Sequence, residues 1–293
     1  MNIGAHVSIA GGIFNAPERA ADLGAEVMQI FTRSPQGGKA PELTPEIIKE
    51  FALRVSRYAI RDTYIHTPYY INFASSNNRI RYGSVSVVRD ELERGSLIGA
   101  KYVMTHLGTA KDLGEKEATA KTIEMLKKCL EGYVGATKLL LENSAGAGAI
   151  IGDDLSELAE IIKGVNSPAS TRGDATSMRG GPAIAGICLD TQHSFASGYD
   201  WRDFGKTLAR IDKELGLNKI KLIHANDSQA DFASNRDRHE HIGEGKIGLE
   251  AFTQIVAFAE KNAIDMILET EHDKVKEDIE ILKNIRVNSI FNF

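Results

Sequence analysis

Apolar residues along this chain gather in short runs, and eight of those runs have the length of a strand. They are Asn2–His6, Val27–Phe31, Thr63–His66, Tyr102–His106, Lys138–Glu142, Ile187–Asp190, Ile220–His224 and Asp265–Glu269. Several are too apolar to be half exposed, a pattern that suits strands covered on both faces. The stretches between them carry helical spacing and helix-start residues. Thr44 followed by Pro45, Asp154 ahead of Leu155-Ser156-Glu157, and Asp200 ahead of Trp201-Arg202-Asp203 each open one. Strand and helix alternate about eight times, which predicts an α/β chain folded as a (β/α)8 TIM barrel. A single domain over residues 1–293 is expected, with the active site at the C-terminal face of the strands. An open doubly wound sheet is the second choice, but no glycine-rich fingerprint follows the first strand.

Two loops stand out from this alternation. Residues 164–184 are polar and Gly/Ser-rich and lie between a helix and the next strand. Barrel logic places them at the bottom as a flexible insertion, although Arg172 and Arg179 would suit a phosphate. Residues 225–247 follow a strand and so belong to the opposite, active face. They contain "NRDRHEHIGEG" at 235–245, whose first seven positions are free of apolar residues.

Composition narrows the class. The 293 residues are 42% hydrophobic, enough for one large core. A net charge of −5 offers no whole-protein basic field, though local patches matter more than the sum. Cys129 and Cys188 sit in apolar surroundings without metal-ligand or redox spacing, so core thiols are expected rather than a disulfide framework. The first residues lack the basic and apolar regions of a secretion signal, and no apolar run approaches the roughly 18 residues of a membrane span. A soluble, cytoplasmic protein is the expectation.

The chemistry lies in the last residue of each predicted strand: His6, Phe31, His66, His106, Glu142, Asp190, His224 and Glu269. All but Phe31 are imidazoles or carboxylates. In a parallel barrel these positions ring one bowl. Buried unpaired carboxylates there would cost several kcal/mol each unless a cation compensates them. Mixed imidazole and carboxylate donors suit zinc, manganese or iron. Loops add His193, three residues past Asp190, and the chelating pair Asp237 and His239. Nine candidate ligands result: His66, His106, Glu142, Asp190, His193, His224, Asp237, His239 and Glu269. That number exceeds the needs of one or two ions, and three ions with a bridging carboxylate is the economical count. His6 is balanced between supporting a ligand and a structural role. His241 and His272 are left over, the latter read as a surface residue at a helix start.

These residues resemble the endonuclease IV family, the metal-dependent apurinic/apyrimidinic (AP) endonucleases of base-excision repair. The resemblance covers essentially the whole chain. It rests on "GAHVSIAGG" (4–12), "HTPYYIN" (66–72), "THLG" (105–108), "ENSAGAG" (142–148), "CLDTQHSFASGYD" (188–200), "HANDS" (224–228), "DRHEHIGEG" (237–245) and "LET" (268–270). It implies three zinc ions per chain, with Mn2+ or Fe2+ possible at one or more sites. His66, His106 and bridging Glu142 would hold one. Glu142, Asp190, His224 and Glu269 would hold the second, and His193, Asp237 and His239 the third. The implied reaction is hydrolysis of the phosphodiester 5′ to an abasic site by a metal-activated hydroxide, with Glu142 or Glu269 orienting it. The products would be 3′-hydroxyl and 5′-deoxyribose phosphate ends.

The implied partner is double-stranded DNA containing abasic sites, with no membrane, no obligate protein partner and a monomeric enzyme. Tyr69 matches a family residue that props the base stack. Asn72, Asn77, Asn78 and Arg79 are candidate phosphate binders, as are Arg236 and Arg238 beside the third ion. The loop "TRSPQGGKAPEL" (32–43) departs from the family, because Gln36 and Gly38 stand where an arginine and a bulky aromatic usually enter the duplex. Arg33 and Lys39 would retain phosphate contacts there. The chief alternative is a metal-dependent sugar isomerase or epimerase on the same barrel, for which the third trio has no role. Non-catalytic metal-dependent DNA binding is a further class, and a preorganised three-ion site serves hydrolysis better.

Overall fold

The computed structural model describes residues 1–167 and 183–291. Its strands and helices are β1 (Ile3–His6), α1 (Ala16–Asp22), β2 (Val27–Ile30), α2 (Pro45–Arg57), β3 (Thr63–His66), α3 (Asn78–Ile98), β4 (Tyr102–Thr105), α4 (Glu115–Leu130), β5 (Lys138–Glu142), α5 (Leu155–Asn166) and β6 (Ile184–Asp190). The second half continues with α6 (Thr191–Ala196), α7 (Phe204–Glu214), β7 (Ile220–His224), β8 (Asp227–Ser228), β9 (His239–Glu240), α8 (Leu249–Lys261), β10 (Asp265–Leu268) and α9 (Val275–Phe291). Eight strands close a parallel barrel in the order β1-β10-β7-β6-β5-β4-β3-β2. The closing seam is the parallel pair β1–β10, with Ile3 opposite Met266 and Ala5 opposite Leu268.

The predicted helix starts are built as their residues dictate. Thr44 Oγ1 accepts from the Ile47 amide, Asp154 Oδ1 from the Ser156 amide, and Pro45 occupies the first turn of α2. Asp200 caps a short 3-10 turn, Trp201–Asp203, and Asp203 then caps α7.

Two apolar layers hold the barrel. Inside it, Val27, Tyr64, Met104, Leu140, Cys188, Leu222 and Ile267 are fully buried and pack together. Outside it, alternate strand residues meet the inner faces of the helices. Truncating one such interior side chain to alanine costs about 2–5 kcal/mol. Gly4 has a packing reason, since a Cβ there would lie 1.8 Å from the Val27 carbonyl oxygen of the neighbouring strand. The bottom is sealed by polar contacts, with Tyr64 donating to Asp265 Oδ2 at 2.6 Å. Both cysteines are buried free thiols, as expected.

β2, β4 and β10 end at Ile30, Thr105 and Leu268, one residue short of the expected Phe31, His106 and Glu269, and three further details differ from the sequence reading. The sixth strand begins at Ile184 rather than Ile187. The loop 225–247 contains a two-stranded antiparallel hairpin, β8–β9, which pairs Ser228 with His239. Helix α6 follows β6 without a loop, its first turn capped by Asp190. Most of the predicted insertion 164–184, with Arg172 and Arg179, lies outside the described residues. No described helix is long and apolar enough to cross a membrane.

Candidate metal centre

Glu142 is the hub of the bowl. It ends β5, is fully buried, and turns its two carboxylate oxygens to opposite sides. Oε2 lies 2.8 Å from His66 Nε2 and 3.7 Å from His106 Nε2. Oε1 lies 2.9 Å from His224 Nδ1 and 3.7 Å from His193 Nδ1. Glu269, just past β10, brings Oε2 to 3.0 Å from the same His224 Nδ1. Asp190 Oδ2 stands 3.9 Å from His224 Nδ1 and 3.8 Å from His239 Nε2.

The donor atoms fall into three sets, each spanning no more than 4.8 Å. One is His66, His106 and Glu142; the second is Glu142, Asp190, His224 and Glu269. Both match the groupings that the family resemblance implies. The third is Asp190, His193 and His239, so Asp190 joins a set in which the resemblance places Asp237. Asp237 still flanks that set, with Oδ2 at 3.4 Å from His193 Nε2 and Oδ1 at 3.3 Å from His239 Nε2.

The chemistry of these donors suits cations. His239 Nε2 is buried between two carboxylates yet has no hydrogen-bond partner, and His106 Nδ1 is likewise orphaned. Such atoms are rare in folded proteins, and an ion or a water accounts for them. Burial disfavours the imidazolium of His193, but Asp190 and Asp237 outweigh it and raise the pKa to about 10. Against the same burial cost, His224 is raised well above the ordinary value, mainly by Cys188, Glu269 and Glu142, and His66 is raised by Glu142. Burial would raise the carboxyl of Asp237, yet His193 pulls it down to about 2. Without ions, protons on these histidines therefore balance the carboxylates. A divalent ion would replace them.

Backbone and amide groups aim the rings. His66 Nδ1 donates to the Thr67 carbonyl at 2.6 Å and His193 Nδ1 to the Asn143 carbonyl at 3.0 Å, leaving each Nε2 as the free donor nitrogen. Asn226 Nδ2 donates to Asp190 Oδ2 at 2.7 Å, while its Oδ1 accepts from the Glu269 amide at 2.9 Å. The sequence reading singles out neither asparagine, although each adjoins a run of ligands. It misses Gln29 as well, whose signal is a lone amide in an apolar strand.

The predicted DNA-facing residues separate into two groups. Gln36, Lys39, Tyr69, Arg79, Arg236 and Arg238 are exposed. The Tyr69 ring meets Phe31 edge-on at 5.4 Å and lies 5.7 Å from His66, so it stands directly over the donors. Arg33 is a correction: it points inward, with Nε paired to Glu91 and Nη2 to Asp90, both on α3. Thr32 and Arg94 complete that buried network. Arg33 therefore anchors the loop and leaves the phosphate-binding set. Asn72 is also structural, its Oδ1 accepting from the amides of Ala74 (3.1 Å) and Thr109 (3.4 Å). Asn77 caps α3 and Asn78 accepts from Arg81.

Of the leftover histidines, His241 is fixed by Asp278 at 2.8 Å and Asp273 at 3.2 Å, away from the donors. His272 is exposed, as expected. His6 faces the bowl, where burial lowers its pKa to about 4.

A parallel eight-stranded barrel with imidazole and carboxylate donors at its strand ends defines a class, and residues 17–285 match the family of xylose isomerase-like TIM barrels. A probable endonuclease 4 of Nitrosopumilus maritimus is 36% identical over 295 residues, covering 98% of this chain and 99% of that protein. One of Halothermothrix orenii is 34% identical over 290 residues, covering 98% and 99%. The crystal structure of endonuclease IV from Thermus thermophilus superposes with a TM-score of 0.82 at 28% identity, covering all of both chains. The chain belongs to the endonuclease IV family.

Proposed function

We propose that this protein is an AP endonuclease that hydrolyses the phosphodiester 5′ to an abasic site in duplex DNA. The products are 3′-hydroxyl and 5′-deoxyribose phosphate ends. The observation that carries this reading is the convergence of three donor sets on one bowl, joined through Glu142 and Asp190.

Three zinc ions fit the donors: one on His66, His106 and Glu142; one on Glu142, Asp190, His224 and Glu269; one on His193, Asp237 and His239. Mn2+ or Fe2+ at one or more positions is compatible with the same mixed set. When bound, such ions supply Lewis-acid polarisation of the phosphate oxygens and a water acidified towards neutral pH. Four ligand carboxylates against three divalent charges leave the filled bowl positive, which admits a phosphodiester to an acidic protein. Glu142 and Glu269 orient the attacking water on the face of the phosphorus opposite the leaving oxygen. No protein nucleophile is needed.

The rim binds the duplex. Arg236 and Arg238 lie beside the third donor set, Gln36 and Lys39 stand on the loop after β2, and Arg79 opens α3, all available to backbone phosphates. Tyr69, propped by Phe31, fills the gap in the base stack. The enzyme acts as a monomer, without an obligate protein partner or a membrane, in the compartment that holds the DNA.

The test is incision of a duplex carrying a tetrahydrofuran abasic analogue. Metal-replete protein nicks it on the 5′ side, leaving an end that a polymerase extends directly, and prolonged chelation abolishes the nick. An uncut duplex under metal-replete conditions overturns the reading.

A further inference from the structure

Gln29 lies in β2, whose four residues are all buried, and it is the strand's only polar side chain. Its amide touches three groups, all of them in the bowl. Nε2 donates to Glu269 Oε1 at 2.6 Å and to His6 Nδ1 at 3.0 Å, while Oε1 accepts from His224 Nε2 at 2.7 Å. The orientation is forced: an ionised carboxylate only accepts, so the amide nitrogen must face Glu269 and the carbonyl must face His224. A carbonyl also only accepts, so Nε2 of His224 keeps a hydrogen in every protonation state, and Nδ1 is the nitrogen left to ligate once the ring is neutral. That directs Nδ1 at Glu142 Oε1 (2.9 Å) and Glu269 Oε2 (3.0 Å).

We propose that Gln29 is a positioning residue for the ion held by Glu142, Asp190, His224 and Glu269. One amide selects the ligating nitrogen of His224 and fixes the carboxylate of Glu269, and His6 holds the amide from its far side. The proposal rests on the reading of that donor set as an ion site. A purely structural role would be served better by an apolar residue, as at Val27 on the same face of the strand, because a buried amide must find a partner for every polar atom. Partners that orient metal ligands in this way typically contribute about 10–100-fold to ion affinity.

Gln29→Met preserves the volume and removes all three hydrogen bonds. Gln29→Glu keeps an acceptor for His224 but sets a second carboxylate against Glu269. Zinc-loaded wild type and both variants are titrated with a competing chelator, ions per chain are counted, and the ion-free proteins are melted. The expected result is one ion weakened by about 10–100-fold in each variant, with the other ions held at wild-type affinity even where the ion-free melting temperature of Gln29→Met falls with its lost hydrogen bonds. Full wild-type affinity for every ion in both variants overturns the proposal, as does an equal weakening of all ions. A wild type that retains no zinc overturns instead the ion-site reading beneath it, so the two failures are distinct.

Discussion

Asp237 reaches His193 across 3.4 Å, although one lies between β8 and β9 and the other on α6. The same carboxylate stands 3.3 Å from His239, so a third donor set exists only where these two segments meet. If an ion held there stabilises the leaving oxygen, His239→Ala should lower incision on the order of 10³-fold, since Lewis-acid stabilisation contributes several kcal/mol. Bound zinc should fall by one ion per chain. Single-turnover cleavage and metal analysis of the variant check both; unchanged incision with one ion fewer would remove the third ion from the chemistry.

Ion binding should release protons. His193, with a pKa of about 10, and His224, raised well above its ordinary value, hold protons in the ion-free bowl at neutral pH, and Glu142 makes His66 hold its proton more tightly than a free imidazole, but all three must be neutral to ligate. Zinc affinity should therefore strengthen as pH rises from about 6 towards 9, roughly tenfold per pH unit for each proton released. Calorimetry in buffers of different ionisation enthalpy counts those protons. A pH-independent affinity would contradict the donor assignment.

His241 should matter to stability alone. Its ring is held by Asp278 and Asp273, and against the cost of burial Asp278 raises its pKa. A raised folded-state pKa contributes stability that is complete below the unfolded value near 6.5 and disappears as pH climbs through the folded value. His241→Ala should thus cost about 1–3 kcal/mol at pH 6 and less at pH 9, without changing zinc content. Paired melts of wild type and variant at the two pH values isolate this contribution.

The arginines should divide by salt dependence. Arg236→Ala and Arg238→Ala each remove a rim cation and should reduce the slope of log affinity against log salt by about one. Arg33→Met removes a buried partner of Glu91 and should leave that slope unchanged while destabilising the fold by about 3–5 kcal/mol. DNA binding across a salt series, with denaturation in parallel, separates the two behaviours.

Much of the fold was legible because burial on both faces writes itself into short apolar runs, and Lys138–Glu142 has the bounds expected of it. The donors were legible for the converse reason: imidazoles and carboxylates closing apolar strands need a compensating partner. What escaped depended on distant neighbours. Arg33 reads as free charge until α3 brings Asp90 and Glu91 against it. The β8–β9 hairpin has only two residues per strand, too few to show a period. Gln29 differs from its strand by one amide, and its meaning emerges only when the closed barrel sets β2 opposite His224 and Glu269.

That closure has a further consequence. One donor set draws on the ends of β3, β4 and β5, and another on those of β5, β6, β7 and β10, so ligation staples most staves of the barrel across its upper rim. The two sets share Glu142 and together span six neighbouring strands, so parting any pair among them separates donors. Ions that bind only the closed form add to its stability in proportion to the logarithm of their concentration over the dissociation constant. Chelation should then act as a mild denaturant, and metal supply would govern how long the folded chain survives as well as how fast it cuts.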